Sequence, residues 1–511
     1  MEYREFFVTL AANSEDMGNG LFRLLMLCCL FGMKQTTVAA LDLNTRTLKI
    51  QGDGKSICTN RLQEAIDRIG QAGGGRLTIT AGDYLTGTLI MRSGVELNLE
   101  EGATLKGCTD PRHYITASAS GVGKTPDIDN GSALIYANGA AHIALRGKGC
   151  IDGQGLQLAL TIDSLHHTGE MPDPNYNYRR LRPNNRPKLF FFLNCSGVTV
   201  EGLRLQNSAE WGLAFCKCEH LKILDINLSN RAYWNNDGID LSGCRHVQVC
   251  RCWIDAADDG ICLKSHHPDE LNYDIEISDC DIRSSASAIK FGTASYGDFR
   301  RIHIHDIKVS DTFRSAIAIE SVDGGEIDSI LVERVEAVNT GNPIFLRLGQ
   351  RAGDKPGALR HVTIRHLQCQ VPFGRPDEAY DLRGPEVNFF HNPFPSSICG
   401  IPGNRIQDVT IEDVEIRYPG RATKGMAYMP LWRVNDVPEQ INEYPEFSMF
   451  GELPSWGFYV RHAEDITFRN VSLTLADIDF RPAFVFDDTK RVSLEHVLPS
   501  VPDQYYFAAE R

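Results

Sequence analysis

Between about Leu77 and Leu498 one short unit recurs: a strand alternating apolar and polar residues, a turn of Gly, Asn or Asp, and another strand. HIALRGKGCIDGQG, GVTVEGLRLQNS, HLKILDINLSN, HVQVCRCWIDAADDGICLKS, YDIEISDCDIRSSASAIKFG and RIHIHDIKVSDTFRSAIAIES are copies, starting every two to three dozen residues. That period belongs to a solenoid, in which each coil buries its apolar face only by stacking on its neighbours. Strands this short and frequent, without amphipathic helices between them, fit an all-β parallel β-helix. A β-propeller would carry a Trp-Asp blade motif, which is absent. A solenoid also accounts for 511 residues, beyond the size at which one globular core stops growing.

The ends of the repeat read differently. TNRLQEAI, from Thr59 to Ile66, has the spacing of a short amphipathic helix, and a helix there would cover the open end of the first coil. Residues 351–460 are loop-rich, and long excursions from a repeat concentrate on one face and carry function. LFRLLMLCCLFGM, from Leu21 to Met33, followed by Val38-Ala39-Ala40, has the form of an export signal and is too short to span a bilayer. A start at Met17 would give that signal ordinary length. The expected division is therefore a targeting segment over 1–40, a cap and first coils over 41–115, and a β-helix over 116–511 with loop insertions around 351–460. The expected location is outside the cell or in the periplasm.

A net charge of -14 argues against a nucleic-acid or anionic-membrane binder, because neutralising phosphates takes clustered Lys and Arg. The 15 cysteines include no Cys-x-x-Cys pair, and most sit at strand positions, so stacked buried thiols are expected rather than zinc or disulfides. No metal, no cofactor, no membrane span and a monomeric state are expected.

Two segments carry the chemistry. Asn235-Asn236-Asp237-Gly238-Ile239-Asp240 and Asp258-Asp259-Gly260-Ile261 each place an aspartate before Gly-Ile, 22 residues apart, hence at matching places on adjacent coils. Like charges stacked at a strand spacing of about 5 Å favour a proton on one of them, which makes an acid and a base from one residue type. Inverting hydrolysis needs such a pair, separated by roughly 6.5–9.5 Å. Turn aspartates or a calcium site would give the same spacing.

The chain resembles glycoside hydrolase family 28, the polygalacturonase family, over roughly residues 50–350. The resemblance rests on NNDG followed 21 residues later by the Asp-Asp of ADDG, on TNRLQEAI…GGGRLTITAGDY, on GKGCIDGQG, and on RPKLFFFLNCSGVTVEGLRLQNSAEWGL. It implies a right-handed, pectin-lyase-like β-helix and hydrolysis of a pectic polysaccharide with inversion. Asp258 would be the general acid, while Asp237 and Asp259 would hold and deprotonate the attacking water.

The chain departs from the family pattern where a galacturonate carboxylate should be held. Ser287 stands in place of the family's histidine, and Ala318-Ile319-Glu320 in place of its Arg-Ile-Lys. A uronate would meet Glu320 rather than two cations, so a neutral or deoxy sugar is expected beside the aspartates. In GICLK, SAIKF, AIAIE and IFLRL the alternation turns Lys264, Lys290, Glu320 and Arg347 outward as a charge ladder on successive coils. These four, with Asn235, Asp240, Trp234, Tyr444 and His462, are the expected substrate contacts. Trp211, Tyr233, Trp456 and Tyr459 are further candidates to wall a pocket, and His462 could replace the missing histidine if its loop folds back. A lyase on the same scaffold and a catalytically silent carbohydrate-binding β-helix are the competing readings.

Overall fold

The computed structural model describes residues 40–115, 131–377, 392–423, 431–501 and 505–507. The Leu21–Met33 signal-like run lies outside them. From Leu41 onward the chain winds into a right-handed parallel β-helix, as the repeat requires.

The sheet that carries the aspartates runs through β1 (Lys188–Leu193), β2 (Leu213–Cys216), β3 (Ile239–Ser242), β4 (Ile261–Ser265) and β5 (Ile289–Ser295). It continues in the last residues of β6 (Asp298–Ser321) and β7 (Glu326–Leu348), then in β8 (Ser396–Cys399) and the first residues of β9 (Phe458–Leu475) and β10 (Phe484–Leu498). Neighbouring strands pair parallel, with Phe190, Leu213, Ile239, Ile261, Ile289, Ile317 and Ile344 in one row. Each is fully or almost fully buried. At about 1.5–3 kcal/mol per buried aliphatic or aromatic side chain, such rows dominate the favourable energy of stacking and fix the register. The expected strands around 239, 261, 289, 317 and 344 are thus stacked in one sheet.

Helix α1 (Thr59–Gln71) buries Leu62, Ala65, Ile66 and Ile69 against the first coils, and it runs five residues beyond the stretch read from the sequence. A second helix, α2 (Gly155–Thr168), follows the Cys150–Asp152 strand and buries Leu158, Ala159 and Ile162; the repeat pattern gave no sign of it. Stacking runs unbroken across position 115, since Leu89 pairs with Ile135 and Leu97 with Leu145. The thirteen cysteines among the described residues are buried free thiols, with Cys195, Cys218 and Cys244 on successive coils.

The loop-rich region keeps the stack going, the strand Ala358–Gln370 completing the coil of β7, and β8 with the strand Ile406–Tyr418 making one further coil, and inserts segments around them. Residues 434–453 fold over the sheet, packing Val434, Val437, Phe447, Phe450 and Leu453 with Phe394 onto the outward side chains Ala318, Phe345, Tyr459 and Val485. Arg347 fastens this covering loop by donating to the carbonyls of Glu439 at 2.7 Å and Gln440 at 2.9 Å. Arg461 donates to the Val437 carbonyl at 2.9 Å and pairs with the Glu439 carboxylate at 2.7 Å. The outward face of these coils is therefore an interior.

Candidate active site

The turn before β3 is tied down by asparagines. Asn230 donates to the Asp237 carbonyl at 2.8 Å, and Asn236 donates to the carbonyls of Ser208 at 3.0 Å and Glu210 at 2.6 Å. The chain leaves this turn in register with the next coil, and the Gly238 amide donates to the Asp259 carbonyl at 2.9 Å. Glycine is required there: a Cβ on Gly238 would lie 2.3 Å from the Gly260 carbonyl oxygen, and one on Gly260 would lie 2.5 Å from Ile282 Cγ2. The Asp-Gly-Ile repeat is thus a packing requirement as well as a chemical one. It stacks Asp237 on Asp259, with Asp258 adjacent.

One oxygen from each of Asp237, Asp258 and Asp259 lies within 4.8 Å of the others. This is closer than the roughly 6.5–9.5 Å expected of an inverting pair. The cause is plain: two of the three are consecutive in the chain and the third is one coil away. Such a cluster could gather round a cation, and in this fold two lysines supply the positive charge. Lys264 Nζ lies 3.1 Å from Asp237 Oδ2 and 2.7 Å from Asp240 Oδ1, with the Trp211 ring 4.0 Å away. Lys290 Nζ lies 3.1 Å from Asp259 Oδ2 and donates to the Tyr444 hydroxyl at 3.1 Å.

These surroundings push the three carboxyls apart. Burial raises Asp258, and the charge of Asp259 raises it further, against the weaker pull of Arg314, Lys290 and Lys264. Burial acts on Asp259 as well, but Lys290, Arg314, Lys264 and the Ser287 amide outweigh it and hold this carboxyl below its usual range. Asp237 is driven well up by burial, with Lys264 opposing and Asp240, Asp258 and Asp259 adding to the rise. Asp240, also buried, rises to about 6 despite Lys264. Asp259 is thus the ionised member, while Asp258 and Asp237 favour the proton.

Asp258 is the member that opens outward. It lines a cleft of about 530 Å³ with Arg180, Asn235, Arg314, Gln440, Glu443, Tyr444, Glu446 and Met449. Of the expected contacts, Asn235 and Tyr444 are in this lining, Asn235 accepting a hydrogen bond from Arg186 through its side-chain oxygen at 3.2 Å. Trp234 is not in the lining, but its ring lies 5.5 Å from the guanidinium of Arg180, which is. Arg180, Arg314, Glu443 and Glu446 were missed in the sequence. Arg180 arrives from a segment after α2, and Glu443 and Glu446 from the covering loop, none of them at a repeating position, whereas Arg314 of β6 stands three residues before Ile317 just as Asp258 stands before Ile261 two coils earlier.

The other expected contacts are not in the lining, although Lys264 and Lys290 stand directly against Asp237 and Asp259. The charge ladder is two rows: Lys290 stacks over Cys262 and Ala318, while Glu320 stacks under Arg347 in the row that begins with Lys264. All four side chains are buried, because the covering loop or neighbouring coils close over them. Arg347 spends its donors on loop carbonyls, and Glu320 is raised to about 8, chiefly by burial. Asp240 lies behind Lys264. His462, buried between Asp488 at 2.6 Å and Glu439 at 3.1 Å, belongs to β9, five coils along from β4. At about 4.8 Å per coil it is roughly 24 Å away along the stack and does not replace the missing histidine. Trp211, Tyr233, Trp456 and Tyr459 are buried packing residues.

The family model described as "Glycosyl hydrolases family 28" matches residues 75–345. A probable polygalacturonase of Vitis vinifera is 23% identical over 328 residues, 63% of this chain, and the chain spans only 59% of that relative's length. Among solved structures, the family 28 exopolygalacturonase of Yersinia enterocolitica superposes with a TM-score of 0.65 at 17% identity, covering 88% of this chain and 78% of that one. A hyperthermoactive exopolygalacturonase from Thermotoga maritima gives 0.59 at 21% identity, covering 74% and 87%.

Proposed function

We propose, from the premise that the chain belongs to glycosyl hydrolases family 28, that it hydrolyses an O-glycosidic bond in a pectic polysaccharide or oligosaccharide. The observation that carries this is the clustering of three aspartates at one place on adjacent coils, Asp258 opening on the cleft and Asp259 paired with Lys290 at 3.1 Å behind it, a geometry that favours the proton on Asp258 over Asp259. Asp258 donates its proton to the leaving glycosidic oxygen. Asp259 takes the proton of the attacking water, which Asp237 helps to hold. Inversion follows in this reading because Lys290 holds the Asp259 carboxylate in an ion pair, which suits it to accept a hydrogen bond from water better than to attack the anomeric carbon, while Asp237, 3.1 Å from Lys264, stays beside the water.

A neutral or deoxy sugar fits beside Asp258. The lining sets Asp258, Glu443 and Glu446 against Arg180 and Arg314, so it offers no surplus of positive charge to a uronate. The test is a screen of defined rhamnogalacturonan fragments and galacturonides, following new reducing ends, ultraviolet absorbance and the first-formed anomer by NMR. New reducing ends without absorbance and with inverted configuration are expected from the rhamnogalacturonan series. An absorbing, unsaturated product would replace hydrolysis by elimination, and efficient cleavage of polygalacturonate would overturn the sugar assignment.

A further inference from the structure

Arg314 is 4% exposed, its Nε makes no hydrogen bond among the described residues, and it lines the cleft beside Asp258. Burial works against its charge, and Tyr444, Glu446, Asp259 and Asp258 around it more than restore it. A guanidinium with a free donor in a cleft is the group that takes a sugar carboxylate, since its planar fork matches the two oxygens. Here a carboxylate from the protein itself already stands there. Glu446 Oε2 lies 3.6 Å from Arg314 Nε, too far for a hydrogen bond, and makes none elsewhere among the described residues, while Oε1 accepts from the Ser448 hydroxyl. Glu446 is thereby anchored within reach of Arg314 without saturating it.

We infer that Glu446 is a specificity-determining residue, which fills from within the chain the cationic place a uronate carboxylate would otherwise occupy. This rests on the hydrolase reading and deepens it. In this arrangement the charge of Arg314 is cancelled where it faces the cleft, and an incoming uronate meets a fixed like charge. A neutral sugar loses nothing by either. The residue comes from the covering loop, so sugar selection is set by a part of the chain outside the repeating coils that carry the aspartates.

Binding separates this from turnover. In an Asp258→Asn background, calorimetry with trigalacturonate should show Glu446→Gln tightening binding by about tenfold or more, the gain shrinking as salt rises. Adding Arg314→Met should cancel that gain, with Arg314→Lys as the milder companion and thermal unfolding confirming that each variant is folded. A neutral-ended rhamnogalacturonan fragment should bind all Glu446 variants alike. Unchanged trigalacturonate binding in Glu446→Gln, or a gain that survives loss of Arg314, would overturn the inference. Absence of turnover by the unaltered protein on every pectic substrate would defeat the hydrolase reading instead and leave this comparison standing.

Discussion

Lys290 Nζ lies 3.1 Å from Asp259 Oδ2, an ion pair in which the two side chains are only 1% and 5% exposed. Lys290 is the largest of the influences that hold Asp259 ionised against burial. In Lys290→Met the carboxyl should rise, so a base that must be charged becomes active only at higher pH. The acidic limb of the kcat/KM profile should move upward, with turnover at the unaltered protein's optimum down by roughly 10²-fold. A limb that stays in place would mean that Asp259 is not the base. Some loss of stability is expected too, on the order of 3–5 kcal/mol when one partner of a buried pair is left alone.

Asp258→Asn should lower turnover by about 10²–10⁴-fold, the usual contribution of a positioned general acid, while leaving the melting temperature near its original value. The loss should shrink on a synthetic glycoside whose leaving group needs no proton. An equal loss on both substrates would assign Asp258 some other task.

Glu320 gives a prediction about stability. Its carboxyl sits at about 8 in the fold against a usual 4.5, so the unfolded chain gives up this proton first as pH rises. The folded state therefore loses stability between about pH 4.5 and 8 on account of this group. Glu320→Gln removes the titration, so its melting temperature relative to the unaltered protein should climb across that window and level off above it. A difference independent of pH would show that Glu320 is ionised in the fold.

The coils were legible because their signal is periodic: Ile239, Ile261, Ile289, Ile317 and Ile344 must share a row once the strands are found, and Asp237 and Asp259 follow two positions before. The same alternation correctly turned Lys290, Glu320 and Arg347 away from the core. It could not say what lies outside, and there the covering loop makes a second interior with its own cluster of Phe345, Phe447, Phe450 and Tyr459. Arg180 and Glu446 reach Arg314 across 134 and 132 residues of sequence, and although Arg314 stands at the repeat position of Asp258 two coils on, no repeat announces the other two. Their meeting is set by how one loop packs.

The fastening of that loop has a consequence for synthesis. A β-helix can lay down its coils in the order in which they leave the ribosome, and the three aspartates are all present by residue 259. Yet Tyr444, the partner of Lys290, and Glu446, the partner of Arg314, are translated nearly two hundred residues later, and Arg461, which holds their loop down, later still. A nascent chain thus displays its aspartates long before it has a finished cleft around them. Hydrolytic competence would then arrive as a late event of biogenesis, and a chain halted before its last coils would carry the three aspartates without Tyr444, Glu446 and Arg461 around them.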